Sequence, residues 1–176
     1  MPFVKTADMV EVDLYREGSV VALLRKITTA IERCISTNRR LITIGCHEVS
    51  ISGKIMCELS EVFSTWDVDM EYNRSGADMK RGNGALIRPD IIIHRRGEVD
   101  GPCNLAVIEV KKGDDVRHQS DINRLVDMTK SRESGGEFSY LIGVFLKISE
   151  NGKATFLPFH NGRELQLIER RLPVQS

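Results

Sequence analysis

The chain has 176 residues, 41% of them hydrophobic and 28% charged, with 25 lysines and arginines balancing 25 aspartates and glutamates. That length supports one buried core, and that composition excludes a disordered or fibrous chain. A formal charge of zero excludes long-range attraction of the whole molecule to a polyanion, so nucleic-acid binding would need positive charge concentrated locally. No apolar run approaches the roughly 18 to 20 residues that span a bilayer. The opening stretch from Met1 to Gly18 lacks the basic start, apolar segment and cleavage site of a secretory signal. Cys34, Cys46, Cys57 and Cys103 are widely spaced with no CxxC pair, so neither structural zinc nor a disulfide framework is suggested. The expectation is a single domain over residues 1–176, cytoplasmic, without a membrane contact, its cysteines reduced and partly buried.

From Ser19 to Thr37 the apolar residues Val20, Leu24, Ile27, Ile31 and Cys34 recur at three- and four-residue steps, which predicts an amphipathic helix capped by Ser19. A short strand is expected at Leu41–Ile44. A second helix follows, with a stripe of Ile51, Ile55, Leu59 and Val62; Gly53 weakens it without excluding it. In DVDMEYNR, Val68, Met70 and Tyr72 alternate with polar residues, the period of a half-buried strand. The glycine-rich, basic RSGADMKRGNGA reads as an exposed loop. IRPDIIIHRR and NLAVIEVKK, joined by the turn-like GEVDGP, predict a hairpin. A polar helix fits Val116–Lys130, and strands fit Tyr140–Ile148 and Ala154–Phe159 around a tight turn at Glu150-Asn151-Gly152. ELQLIERRLPV fits strand or helix. This order predicts an α/β or α+β fold with one central mixed sheet flanked by helices.

The residues that suggest chemistry are Pro89-Asp90 before Ile91-Ile92-Ile93, and Glu109-Val110-Lys111 after Leu105-Ala106-Val107-Ile108. The two-residue period puts Val107, Glu109 and Lys111 on one face of their strand. In a hairpin, Asp90 at the start of one strand lies near the end of the next, so two carboxylates converge. Such a pair suits magnesium or manganese, hard cations that prefer oxygen ligands. An ExK on a strand is by itself most often a solvated edge, and an aspartate after proline a turn residue. Here both follow or precede apolar runs that read as buried strands, where unpaired charges are costly.

Pro89-Asp90 followed nineteen positions later by Glu109-Val110-Lys111 resembles the PD-(D/E)XK nuclease superfamily, the restriction-endonuclease-like fold. The resemblance extends over about Glu48 to Ile148 and implies that Asp90 and Glu109 bind divalent metal while Lys111 assists the attacking water. It also implies a glutamate from the preceding helix, for which Glu48, Glu58 and Glu61 are available. At about 100° per residue, Glu48 falls near the middle of the apolar stripe, Glu58 at its edge and Glu61 off it, so Glu48 is chosen as the third metal ligand and fourth catalytic residue. A plain helix N-terminal role is its bland alternative. Gln119 is a weaker match to a family glutamine, and an ordinary helix-surface role is favoured for it.

Arg74, Lys80, Arg81, Arg88, Arg95, Arg96, Lys111 and Lys112 concentrate positive charge in the segment holding this constellation, the patch that phosphate contacts need. Arg74, Lys80, Arg81, Arg88 and Lys112 are the candidate nucleic-acid contacts, although a solvated loop accounts for any one residue of Lys80-Arg81 or Arg95-Arg96. His47, His94, His118 and His160 share no metal-ligand spacing and receive no role. The expected function is magnesium- or manganese-dependent hydrolysis of phosphodiester bonds, in DNA before RNA, with a homodimer or partner protein as sources of specificity. The alternative is a nuclease-fold module that binds nucleic acid or a protein partner without cutting.

Overall fold

The computed structural model describes residues 3–6, 11–13, 20–72, 74–75, 78–79, 81–82, 85–86, 88–98, 103–113 and 118–168. Two strands open the chain, β1 (Phe3–Thr6) and β2 (Glu11–Asp13). Sequence periodicity gives no sign of them, because three or four residues are too few to establish a period. Helix α1 (Val20–Thr37) buries Val21, Leu24, Ile27, Ala30, Ile31, Cys34 and Ile35 along one stripe; its expected cap, Ser19, lies outside the described residues.

The expected strand at Leu41–Ile44 is instead a short helix, α2 (Arg39–Thr43). Asn38 closes α1 through both its backbone N–H and its side-chain amide, each donating to the Cys34 carbonyl. The chain thus re-enters a helical turn at once, which buries Ile42. A run as short as Leu-Ile-Thr-Ile satisfies either period. Helix α3 (Glu48–Val62) buries Ile51, Ser52, Ile55 and Leu59, the predicted stripe, with Val62 packed at its margin.

Strand β3 (Asp67–Met70) follows. The stretch expected as an open loop contains two small hairpins, β4 (Arg74–Ser75) with β5 (Asp78–Met79) and β6 (Arg81–Gly82) with β7 (Ala85–Leu86). Strands β8 (Ile91–His94) and β9 (Asn104–Lys112) form the predicted antiparallel hairpin. Helix α4 (Gln119–Thr129) is described from Gln119, while Val116 of its expected start lies outside the described residues. Strands β10 (Ile142–Ile148), β11 (Ala154–His160) and β12 (Arg163–Ile168) complete the chain, so the C-terminal alternative resolves to strand as far as it is described.

The sheet runs β2-β1-β12-β11-β10-β9-β8-β3. It is mixed, because β9 and β10 are parallel whereas their other neighbours are antiparallel. Helices α1 and α3 cover one face, packing on Ile91, Ile93, Ala106, Ile108, Val110, Val144 and Leu146. Helix α4 covers the other, where Leu125 and Met128 meet Ile92, Val107, Phe145 and Phe159. The architecture is therefore mixed α/β in three layers. Gly143 permits the close seating of α4: a Cβ there would stand 2.9 Å from Thr129 Cγ2. Among the described residues no helix is long and apolar enough to cross a membrane, and all four cysteines are free, Cys34 and Cys103 buried.

Candidate active site

Register places the predicted residues. Ile91 pairs with Ile108 and Ile92 with Val107, so Asp90, one residue earlier, stands opposite Glu109. Ala106, Ile108 and Val110 face the α1–α3 core and Val107 faces α4; alternation therefore turns Glu109 and Lys111 toward α4. Pro89 is buried and has no N–H to leave unsatisfied there. Asp90 is fixed at both ends: its carbonyl accepts from the Glu71 N–H at 3.2 Å, and its Oδ2 accepts from the Val110 N–H at 2.7 Å. Its carboxyl and that of Glu109 influence each other's ionisation.

Glu48, in the first turn of α3, reaches the end of β9. Its Oε1 accepts from Lys111 Nζ at 3.1 Å and its Oε2 from the Lys112 N–H at 3.1 Å. Of the three glutamates weighed on this helix, Glu58 is ion-paired with Arg33 of α1 and Glu61 is exposed. Glu48 thus stands beside the lysine, with both oxygens engaged by the ExK strand.

Two residues of α4 join the site that sequence reasoning did not select. Arg124 donates from Nη1 to Glu109 Oε1 at 2.8 Å and from Nη2 to Asp121 Oδ1 at 2.8 Å. Asp121 Oδ2 lies 3.8 Å from Lys111 Nζ. A signal for Asp121 was present: it occupies the position one turn before Leu125 and two before Met128, on the buried stripe of α4, where an aspartate needs a partner.

The result is a chain of alternating charge, Glu48–Lys111–Asp121–Arg124–Glu109, with Asp90 against its end. Burial, and next the charge of Asp90, push the Glu109 carboxyl up to about 8, against the pull of Arg124 and Lys111. Burial also raises Asp90, opposed by the Val110 N–H, Lys111 and Glu109. For Lys111, burial acts to lower the pKa, but the Glu48 hydrogen bond and the charges of Asp90, Glu48 and Asp121 outweigh it and hold the ammonium above its usual range.

Among the described residues no group of three His, Cys, Asp or Glu side chains is arranged to hold a metal ion. Glu48, Asp121 and Glu109 are all engaged by Lys111 and Arg124, with Asp90 opposite Glu109. The donor set nevertheless fits a hard divalent cation, which keeps several waters and is held by one or two carboxylates together with substrate phosphate. Charge fits as well, because four carboxylates share two directly paired cations among the described residues, and two negative charges remain when all are ionised.

No family model, curated protein or solved structure matches the chain. The reading of the site therefore stands on its geometry.

The remaining candidates are more dispersed. Arg88 is exposed beside Asp90, with Glu71 at 3.8 Å. Lys112 Nζ donates to the Cys46 carbonyl at 3.0 Å, which fastens the α2–α3 turn to β9. The side chains of Arg74 and Arg81, and all of Lys80, lie outside the described residues. Arg95 sits over the Trp66 ring and Arg96 is paired with Asp69 of β3 at 2.6 Å. Gln119 bonds its helix neighbour Asn123. Buried His94 is tied to Asp69 at 2.8 Å, and His160 Nδ1 to the Leu141 carbonyl.

Proposed function

We propose that this chain is a divalent-metal-dependent nuclease of the PD-(D/E)XK kind, with a restriction-endonuclease-like fold, hydrolysing phosphodiester bonds in DNA. The observation that carries the reading is Asp90 facing Glu109 across β8 and β9, with Lys111 projecting from the same face two residues along. Asp90 and Glu109 would hold Mg2+ or Mn2+. When bound, such an ion polarises the phosphate and lowers the pKa of a coordinated water.

The chain's own groups divide the other tasks. Lys111 keeps its proton, since its pKa is raised, so it serves as a donor rather than a general base: it orients the water and stabilises charge on the pentavalent phosphate. Glu48 fixes that ammonium from one side and Asp121 from the other. Arg88, exposed at the entrance to β8, supplies a phosphate contact.

The test is cleavage of single-stranded, double-stranded and branched DNA and of RNA, with and without Mg2+. Asp90→Ala and Lys111→Ala should each lower metal-dependent cleavage about a hundredfold or more while retaining the far-ultraviolet circular dichroism of the parent. Full activity in either variant overturns the assignment. Nucleic-acid binding with no cleavage under either metal would instead support a non-cutting binding module, and cleavage of RNA alone would move the substrate.

A further inference from the structure

Arg124 has a position that ordinary helix stabilisation does not require. An ion pair with Asp121 three residues earlier on α4 would suffice for that, and a lysine could make it. The guanidinium instead forks: one arm meets Asp121 Oδ1 and the other meets Glu109 Oε1, both at 2.8 Å. Glu109 is 1% exposed, whereas the Arg124 side chain is 30% exposed. The two partners therefore differ in freedom. Glu109 is fixed in the sheet beneath α4 and cannot turn to water, but Arg124 can withdraw toward solvent while it keeps its bond to Asp121.

A divalent ion held by Asp90 and Glu109 needs the charge of the same carboxylate that Arg124 engages. Two cations at one buried carboxylate repel each other, and each weakens the other's hold. We propose that Arg124 is a positioning residue that competes with the divalent ion for Glu109, and that this competition sets the affinity of the metal site. This rests on the nuclease reading above. Metal binding and the Arg124–Glu109 ion pair weaken each other. Asp121 gives the displaced guanidinium a place to remain, so that its release does not leave a cation without a partner.

The experiment is calorimetric titration of Mn2+ into the full chain and into Arg124→Gln, Arg124→Met, Arg124→Lys and Asp90→Ala, in 0.15 M salt. Removing the competitor should tighten Mn2+ binding about tenfold or more in both neutral variants, since a hydrogen bond to a charged group is at stake. Arg124→Lys, which keeps the charge and the Asp121 pair but not the fork to Glu109, should fall between the parent and the neutral variants. Unchanged or weaker binding in Arg124→Gln and Arg124→Met, with Asp90→Ala abolishing binding, would overturn the competition and leave the nuclease reading standing. No Mn2+ binding by the parent would overturn both. A merely structural arginine would loosen the site when removed, so the sign of the change decides. Should the neutral variants fail to fold, the parent decides alone: the Arg124 guanidinium 15N resonances should shift on saturation with Mg2+, and their constancy would overturn the proposal.

Discussion

Glu109 meets opposing demands, because a position 1% exposed penalises its charge and the proposed chemistry requires that charge. The sign of the resulting pH dependence follows from linkage. The carboxyl, raised from 4.5 to about 8, holds a proton in the folded chain that the unfolded chain has already released. In the presence of a chelator, stability should therefore fall as pH rises through that window and level off above it. Asp69, whose carboxyl is lowered below its usual 3.8, acts in the opposite sense only in stronger acid. Urea midpoints between pH 5 and pH 9 should decline for the parent and stay flatter for Glu109→Gln; parallel slopes would refute the assignment. For Glu48→Gln, the loss of the carboxylate that fixes Lys111 should lower kcat about tenfold with little change in KM. A change confined to KM would place Glu48 in substrate binding instead. The shared face of Glu109 and Lys111 was legible from sequence because strand alternation leaves no choice of face. Arg124 was not, since an arginine on a polar helix gives the same pattern whether it faces water or a buried carboxylate.

At the scale of elements, α4 carries two of the six charged groups of the site, and its seating depends on a residue outside it. A methyl group at Gly143 would press on Thr129 Cγ2 at 2.9 Å and on Leu125 and Phe159 at 3.4 Å. Gly143→Val should cost about 1 to 3 kcal/mol by overpacking and also weaken Mn2+ binding, because Asp121 and Arg124 move with the helix. Chemical denaturation and titration on the same samples check this, and a variant destabilised but with parental affinity would show that α4 does not position the site. The long periodic helices and the β8–β9 hairpin could be read from the chain, since each repeats its pattern several times. The segment Arg39–Thr43 could not, nor could the N-terminal strands. They are too short to repeat a period convincingly, and what places them is Asn38 closing α1 in one case and pairing with the distant β12 in the other.

For the whole molecule, a ligand that binds only the folded chain adds stability by mass action. Mn2+ at a hundred times its dissociation constant should contribute about 2.7 kcal/mol and raise Tm by about 5 to 10 °C. Asp90→Ala should show no such rise, and an equal rise in that variant would locate the ion elsewhere. The six carboxylate and cationic groups of the site come from both sides of the sheet: Glu48 belongs to the helix pair that buries Ile91 and Ile108, while Asp121 and Arg124 belong to the helix that buries Ile92 and Val107. Lys111, at the end of β9, is where the two layers are stitched together. A partly folded chain with one layer docked thus cannot hold that lysine between its two acids. On the nuclease reading proposed above, competence would therefore require complete assembly, and nascent or damaged copies would stay harmless to nucleic acid around them. In refolding experiments, cleavage should then return no earlier than the packing of both helical layers.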